Sequence, residues 1–290
     1  MILFAMLVYV NGHFIPQEEA TVSVFDHGFL YGDGIYETMR AYDGTVFMLD
    51  RHIERLNRSA SLIQLTVPSP DIIRDAVYET IRANGLKSVY VRVTVSRGKG
   101  PLGLDPALCP KSTFVVITKE FVEYPEKYFK EGVIFIIAKT RRNLREALNP
   151  KIKSLNFLNN ILAKIEAKER GAYEALMLNA EGFIAEGTVC NIFFVRNNIL
   201  CTPSVDTGVL DGITRELVIG LAMETGMQVR EGHFRPEDLF SASEVFFTNT
   251  TSEVMPVCQV EDAKYAVGEV AKRLRRLYKE TVAKAVRSEG

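Results

Sequence analysis

A lysine at the entrance of an amphipathic helix is the sequence feature that most limits how this chain can fold. In the segment Lys151–Ile165, large apolar residues recur at helical spacing, while the asparagines fall mostly elsewhere. The apolar positions are Leu155, Leu158, Ile161, Leu162 and Ile165. This period predicts a helix whose apolar face packs against a core. Lys153 comes just before that helix, where a strand would pass into it.

The position of Lys153 gives its side chain chemistry that a surface lysine lacks. A lysine held near a core loses its proton more easily than one in water, because burial disfavours the charged form. The neutral amine is a nucleophile and forms a Schiff base with an aldehyde. An ordinary solvated lysine is the alternative, and for a lysine taken alone it is the more common case.

The composition is that of a globular chain without a nucleic-acid or metal signature. Its 290 residues suit one large or two modest domains, and 47% hydrophobic with 24% charged residues can build a core. A formal net charge of −1 argues against a surface that coats nucleic acid. The four cysteines form no Cys-x-x-Cys pair and do not cluster with the four histidines, so neither zinc nor disulfides are expected. Reduced thiols fit a cytoplasmic protein.

The first ten residues are apolar, but they lack the basic start and the cleavage site of a signal peptide. The run is also too short to cross a membrane, so no membrane association is expected. We predict a strand that begins near Leu7. Met6 offers an alternative start, which would leave Met1–Ala5 as an extension.

Strand and helix patterns divide the chain into two α+β domains. Residues 1–119 form the smaller domain, the charged and proline-containing segment 120–126 is the predicted linker, and residues 127–290 form the larger domain. Within the smaller domain, Val89–Val95 places valines on one face of a strand, and Tyr90 and Arg92 on the other. Arg92 therefore lies either on an exposed face or in a polar cavity.

Two glycine-containing segments have interpretations of their own. Three glycines within Gly28–Gly34 allow tight turns, but they lack the spacing of a dinucleotide or P-loop fingerprint. Ile213 and Thr214 follow Gly212 at the start of a predicted helix, where backbone N–H groups and the helix dipole favour an anion. A simple threonine cap is the alternative.

Several segments resemble those of class IV (fold type IV) pyridoxal-phosphate aminotransferases. The segment Lys153–Leu158 reads Lys-Ser-Leu-Asn-aromatic-Leu, as in that family. The other matching segments are Tyr31–Glu37, His52–Leu56, Glu186–Asn191, Gly212–Thr214 and Thr248–Glu253. Their common order and spacing argue against coincidence. Without them, Glu186 would be a solvent-facing turn residue, and Tyr31 and Tyr36 would be plain core aromatics.

The resemblance implies an α+β, two-domain enzyme of fold type IV, with a smaller α/β sandwich domain and a larger pseudo-barrel domain, and pyridoxal 5'-phosphate as cofactor. By the family's pattern, Lys153 is the catalytic lysine that carries the cofactor, and Glu186 keeps the pyridine nitrogen protonated. The residues matched to the cofactor phosphate are Arg55, Ile213, Thr214 and Thr250. Those matched to the substrate are Tyr31, Tyr36, Arg40, Tyr90, Arg92 and Thr251. The family also implies a homodimer or higher homo-oligomer that acts on amino acids and 2-oxo acids.

Part of the pattern favours branched-chain substrates. Tyr90, Arg92 and the loop Leu102–Pro106 resemble branched-chain amino acid aminotransferases. D-Amino acid aminotransferases carry an Arg-x-His carboxylate trap around this loop, and this chain has none. The leading hypothesis is therefore a branched-chain-type L-amino acid transaminase with 2-oxoglutarate as the second substrate.

Other positions depart from the branched-chain pattern. Tyr36, Thr38 and Phe157 replace residues typical of that group, and Asn249 stands where relatives usually carry Gly or Ser. A D-amino acid or (R)-amine transaminase is therefore the second hypothesis, and an aminodeoxychorismate lyase is the third. A non-catalytic binding protein of this fold is an alternative of a different class. The preferred side chain cannot be ranked, because one methylene changes binding by only about 1–3 kcal/mol.

Overall fold

The computed structural model describes residues 6–289, so the extension expected at Met1–Ala5 lies outside the described residues. The chain divides into two compact units. The first comprises the chain as far as Val122, the segment Ile152–Asn156 and the residues from Ala285; the second comprises Glu123–Lys151 and Phe157–Lys284. Lys153 thus belongs to the first unit, although the residues on both sides of its segment belong to the second.

The first unit is built on an antiparallel sheet. Its described strands are β1 (Leu7–Val10), β2 (His13–Pro16), β3 (Gly34–Tyr42), β4 (Thr45–Val46), β5 (Val89–Ser96) and β6 (Thr113–Glu120). They pair in the order β2-β1-β6-β5-β3-β4. Its helices are α1 (His27–Tyr31), α2 (Leu49–Leu62) and α3 (Pro70–Ala83).

The second unit is built on a larger sheet that mixes parallel and antiparallel pairs. Its described strands are β7 (Val133–Ile137), β8 (Glu174–Leu178), β9 (Ile184–Gly187), β10 (Asn191–Arg196), β11 (Ile199–Pro203), β12 (Val229–Gly232), β13 (Glu244–Asn249), β14 (Glu253–Val260) and β15 (Ala263–Lys264). They pair in the order β12-β11-β10-β13-β14-β7-β8-β9, and β15 pairs with β14. The helices are α4 (Glu126–Glu131), α5 (Leu158–Glu169), α6 (Ile213–Glu224), α7 (Pro236–Phe240) and α8 (Glu269–Glu289), of which the residues from Ala285 belong to the first unit.

Neither a membrane-spanning helix nor a metal-binding cluster is found among residues 6–289. No helix in this range is long and apolar enough to span a membrane. No group of three or more His, Cys, Asp or Glu residues in the same range is arranged to hold a metal ion.

Strand β5 shows the alternation that its sequence predicts. The valines at positions 89, 91, 93 and 95 are 0% exposed, which confirms that they share a buried face. They belong to one hydrophobic cluster with Leu56 of α2 and Ile73 of α3. The opposite face of β5 is left to Tyr90 and Arg92, which are partly exposed. The sheet therefore has one apolar face under helices and one polar face.

The packing of α5 differs from the sequence prediction. Four of the five residues predicted to face a core are instead 46–68% exposed: Leu158, Ile161, Leu162 and Ile165. The fifth, Leu155, is partly buried and precedes the helix. The buried residues of α5 are Asn160, Ala163 and Ala167. The alanines belong to a small cluster with Ala175 and Met177 of β8, and small side chains let the helix lie close to the strand. The apolar stripe was read correctly as one helix face, but that face is not the core face.

A bulkier side chain on the alanine face should destabilise the protein. We expect Ala163→Leu to lower the free energy of unfolding by about 1–3 kcal/mol, because the added atoms enter a fully packed contact. Ala83→Leu, on the exposed last residue of α3, is the matched control and should change it little. Urea denaturation measures both. Equal stability of the two variants would contradict this description of α5.

Candidate active-site residues

Main-chain hydrogen bonds hold the segment around Lys153 against the first half of β3. The N–H of Tyr36 donates to the carbonyl of Lys153 at 3.0 Å, and the N–H of Leu155 donates to the carbonyl of Gly34 at 2.9 Å. The N–H of Lys153 donates to the hydroxyl of Ser59 on α2 at 3.2 Å. The backbone of Lys153 is therefore fixed on both sides, by a strand and by a helix.

Gly34 is needed for this close approach. A Cβ atom at position 34 would lie 2.7 Å from the side chain of Leu155 and 2.8 Å from the carbonyl oxygen of Val95. Both distances are too short for a real contact, and one of them involves backbone that cannot easily move. The glycine therefore lets β3 lie between β5 and the lysine segment.

The Lys153 amine lies beside an aromatic ring that also contacts an arginine. Its Nζ atom is 4.5 Å from the centroid of the Tyr36 ring, and the guanidinium carbon of Arg92 is 4.0 Å from the same centroid. Cations at such distances are attracted by the face of the ring. Burial raises the pKa of Tyr36, and the nearby Arg92 offsets this only in part. The Tyr36 hydroxyl therefore stays protonated near neutral pH and can donate a hydrogen bond.

The other substrate residues predicted in this unit lie on or near the same sheet. Thr38 stands opposite Arg92 in the register of β3 and β5, and its hydroxyl is 3.5 Å from the Tyr90 hydroxyl. Arg40 is buried, and its guanidinium carbon lies 3.8 Å from the centroid of the Phe121 ring.

Tyr31 lies at the end of α1 and is more exposed than the sheet residues. Its hydroxyl accepts a hydrogen bond at 3.2 Å from the N–H of Gly103, in the loop Leu102–Pro106. This contact ties α1 to the loop that the sequence compares with branched-chain enzymes.

Behind this sheet lies a buried ion pair that the sequence did not single out. Glu37 accepts hydrogen bonds from Nε of Arg55 at 2.7 Å and from Nη2 at 2.8 Å, and it also contacts Nδ1 of His52 at 2.7 Å. Burial alone would raise the pKa of Glu37, but the charge and hydrogen bonds of Arg55, with the hydrogen bond from His52, lower it below its usual value. Arg55, predicted for the cofactor phosphate, is thus held by a carboxylate through two of its nitrogens.

Glu186 in the second unit is a buried carboxylate held by several hydrogen-bond donors. It accepts hydrogen bonds from Nε of Arg142 at 2.8 Å, from the N–H of Leu210 at 3.1 Å and from Nδ2 of Asn191 at 3.4 Å. A charged donor and a backbone N–H group stabilise the ionised carboxylate. Arg142 was missed in the sequence analysis.

Asn191 connects Glu186 to the start of α6. Its Nδ2 atom donates to the carbonyl of Leu210 at 2.9 Å, and a Cβ atom on Gly212 would lie 2.0 Å from its Oδ1 atom. Gly212 caps α6, and the first N–H groups of that helix, at Ile213 and Thr214, have no acceptor within the helix. These groups favour an anion at the position that the sequence assigned to a phosphate.

The turn that contains Thr250 and Thr251 is organised by Asn249. The side-chain oxygen of Asn249 accepts hydrogen bonds from the N–H of Thr251 at 3.1 Å and of Ser252 at 2.6 Å. The hydroxyl of Thr251 is 3.2 Å from that of Tyr124. The departure at Asn249 thus has a structural reason, because its side chain supplies acceptors for this turn.

The structure brings two sets of predicted residues together, one in each unit. Lys153, Tyr36 and Arg92 meet in the first, whereas Glu186 and the start of α6 meet in the second through Asn191. Sequence reasoning missed Glu37, His52, Arg142 and Ser59. For Glu37 and His52 a signal existed, since an acid on the apolar face of β3 requires a buried partner, and His52 precedes Arg55 by three residues on one face of α2.

The protein should lose stability in weak acid because of His52. Burial lowers the pKa of His52, although Glu37 opposes this, so below about pH 6.5, the usual histidine pKa, the unfolded state binds a proton that the folded state does not. We therefore expect the free energy of unfolding to fall as the pH drops through this range. His52→Asn, which does not titrate, should remove this part of the loss.

Urea denaturation between about pH 5 and 7.5 measures the effect. His13→Asn is the control, because it makes the same substitution at an exposed histidine. If His52→Asn keeps the pH dependence of the unmodified protein, His52 is not the group responsible.

Known proteins are similar to this chain over almost its whole length. The family described as amino-transferase class IV matches residues 34–260. A putative branched-chain-amino-acid aminotransferase of Methanocaldococcus jannaschii is 44% identical over 279 residues, which cover 95% of this chain and 96% of the relative.

Two further relatives are named for other enzyme activities. An aminodeoxychorismate lyase of Bacillus subtilis is 34% identical over 290 residues, covering 98% of this chain and 97% of the relative. A D-alanine aminotransferase of Listeria monocytogenes is 33% identical over 286 residues, covering 97% of each.

Among solved structures, a T.th. branched-chain amino acid aminotransferase with pyridoxamine 5'-phosphate is similar to this chain, with a TM-score of 0.93 and 34% identity. The match covers 97% of this chain and 95% of that one.

Proposed function

Because this chain belongs to the class IV aminotransferase family and is a pyridoxal-phosphate-dependent aminotransferase, we propose that it moves an amino group between a branched-chain-type L-amino acid and 2-oxoglutarate. The fold type IV architecture and the cofactor are those that the sequence predicted. The observation that carries the proposal is the fixed position of Lys153 beside Tyr36 and Arg92. The 44% identity to a putative branched-chain enzyme supports the choice of substrate.

The residues present fit the chemistry of pyridoxal phosphate. Lys153 offers an amine for the aldehyde of the cofactor, and the buried carboxylate of Glu186 suits a protonated ring nitrogen. Thr214 and the other residues at the start of α6 offer N–H donors for a phosphate. Arg55 and Thr250 are also proposed to hold this phosphate. When bound, the cofactor supplies an electrophilic carbon and a ring that accepts electrons.

The protein's own side chains are then proposed to transfer one proton and to stabilise the charge of the Glu186 carboxylate. We propose that Nζ of Lys153 is the general base: it would take the proton from the α-carbon of the amino acid and return it two bonds away, to the carbon that the bound cofactor would supply. Its backbone stays fixed by Tyr36 and Ser59 while the side chain moves. Arg142 and the N–H of Leu210 donate hydrogen bonds to Glu186 and stabilise the negative charge that would face the ring nitrogen.

The substrate is proposed to lie against the polar face of β3 and β5. Tyr36 donates a hydrogen bond there, and Arg92 supplies a positive charge for a carboxylate. Tyr90 and Thr38 lie on the same face and can contact the rest of the substrate. Arg40, Tyr31 and Thr251 remain proposed substrate residues. The four cysteines are free thiols in the structure, and a cytoplasmic enzyme is part of the proposal.

A D-amino acid transaminase is the second candidate. Tyr36 favours it, because its ring centroid lies 4.5 Å from Nζ of Lys153, and by the resemblance D-amino acid enzymes use a hydroxyl at this position to bind the substrate carboxylate. The 33% identity to a D-alanine aminotransferase agrees with it. Both candidates present the single α-hydrogen of the substrate to Lys153, but the carboxylate and the side chain exchange places between them, so the two are separated by the hand of the substrate.

A half-reaction tests the proposal. Protein loaded with pyridoxal phosphate is mixed with L-leucine in the absence of any oxo acid, and the absorbance of the bound cofactor is followed. We expect its band to be replaced by that of pyridoxamine phosphate, because Lys153 completes one proton transfer per site. Lys153→Ala is the control and should keep its band, since the transferring amine is gone. A band that persists with L-leucine but disappears with D-alanine would overturn the first candidate in favour of the second.

We also propose that the chain forms a homodimer or a larger homo-oligomer through the exposed stripe of α5. The stripe comprises Leu158, Ile161, Leu162 and Ile165, which recur at helical spacing and form a continuous apolar surface. A continuous apolar surface of this kind marks an interaction site more often than scattered apolar residues do. A second copy of this chain is the proposed partner, because the class IV resemblance implies a homodimer.

A charge on the α5 stripe should separate the copies. We expect Ile161→Lys to reduce the mass measured by light scattering to that of one chain, because a buried unpaired charge disfavours the contact. Ile72→Lys is a matched control, since Ile72 and Ile161 are each 50% exposed but Ile72 lies on α3. If the unmodified protein is already a monomer, or if Ile161→Lys keeps its mass, the proposed contact is wrong.

A further inference from the structure

Glu37 lies on the buried, apolar face of β3, where a charged residue is unusual. Its neighbours on the same face are Ile35 and Met39, which belong to the hydrophobic cluster under α2 and α3. Glu37 itself is 1% exposed. Burying a carboxylate costs several kcal/mol unless charged partners and hydrogen bonds offset the loss of water. An acid kept at this position therefore needs a specific reason.

One face of α2 supplies the partners. His52, Arg55 and Ser59 are three and four residues apart, so they point in the same direction. The first two bind the carboxylate of Glu37, and Ser59 accepts a hydrogen bond from the N–H of Lys153. The helix face that holds Glu37 is thus the same face that holds the backbone of Lys153.

The geometry of the Glu37–Arg55 pair fixes the direction of the guanidinium group. Both carboxylate oxygens are used, one on Nε at 2.7 Å and the other on Nη2 at 2.8 Å. Two parallel bonds leave a planar fork little freedom to rotate. His52 contacts the second oxygen at 2.7 Å and limits the carboxylate in turn. Since both partners of the pair are buried, water does not compete for these bonds.

Stability alone does not account for such a pair. Replacing a buried ion pair by apolar side chains of similar volume is often neutral or stabilising. The surroundings of Glu37 are apolar and could accept such side chains. What apolar residues could not do is hold Arg55 in one orientation.

We propose that Glu37 is a positioning residue that orients Arg55 for the phosphate group of the cofactor. This inference rests on the proposed function, in which Arg55 binds that phosphate. Glu37 does not touch the cofactor in this account; it fixes the plane of the guanidinium group, and His52 supports it as a neutral hydrogen-bond partner. The effect should therefore appear only with ligands that carry a phosphate.

The test compares two ligands that differ in the phosphate alone. Dissociation constants of pyridoxal 5'-phosphate and of pyridoxal are measured by absorbance on cofactor-free protein. We expect Glu37→Gln to raise the dissociation constant of pyridoxal phosphate by about tenfold or more. A loss of this size is typical at metal sites when a side chain that orients a metal-binding residue is removed. Pyridoxal should bind unchanged. Glu54→Gln, on the exposed side of α2, is the control and should affect neither ligand.

Two more variants separate this inference from the proposed function. Arg55→Lys should lower the preference for the phosphorylated ligand by itself; if it does not, the proposed role of Arg55 fails. If Arg55→Lys lowers the preference but Glu37→Gln does not, Glu37 is not a positioning residue. The double variant should match Arg55→Lys alone, because Glu37 acts only through Arg55, whereas an independent structural role would add a further loss.

Folding is monitored by thermal unfolding of each variant. Should Glu37→Gln fail to fold, Glu37→Asp decides the matter. It keeps the charge but is shorter by one methylene, so it cannot keep both bonds to Arg55. We expect it to lose part of the preference for the phosphorylated ligand, and an unchanged preference would overturn the inference.

Discussion

The hydrogen bonds that join Ile152–Asn156 to β3 are the constraint on which the site in the first unit depends. Strand β5 pairs with β3 along its length on one side, whereas β4 pairs only with Ala41 and Tyr42 on the other. The lysine segment therefore occupies the edge of β3 that β4 leaves open. Because the backbone of Lys153 is fixed at this edge, only its side chain needs to move, which suits an amine that exchanges partners during a reaction.

Where the sequence pattern reports a local property, the structure agrees with it. The alternation of valines in β5 follows from the pleat of a strand and is seen in their complete burial. The glycine at position 212 precedes a helix, as predicted, and its missing side chain makes room for Asn191. The family and cofactor were also predicted, because several segments carried independent parts of one pattern.

Where the answer depends on residues distant in sequence, the pattern could not supply it. A helix with an apolar stripe reveals the stripe but not what covers it, and α5 instead turns its alanines to the sheet. Arg142 and Glu186 are 44 positions apart, so nothing local shows that they pair. The pair of Glu37 and Arg55 joins a strand to a helix and could be suspected only from an acid among apolar neighbours. Asn249 departs from the Gly or Ser that relatives usually carry. The sequence could not explain this residue, because the hydrogen bonds of its side chain are seen only in the structure.

The main-chain hydrogen bonds of the Lys153 segment also limit how its length can vary. The carbonyl of Lys153 binds the N–H of Tyr36 and the N–H of Leu155 binds the carbonyl of Gly34, so a shift of one residue would put another side chain in the place of Lys153. A single-residue deletion or insertion between Pro150 and Leu155 would then present Ile152 or Ser154 where the amine now lies. Evolution can thus remodel this region by exchanging side chains, but changes in chain length here would remove the Lys153 amine from its place.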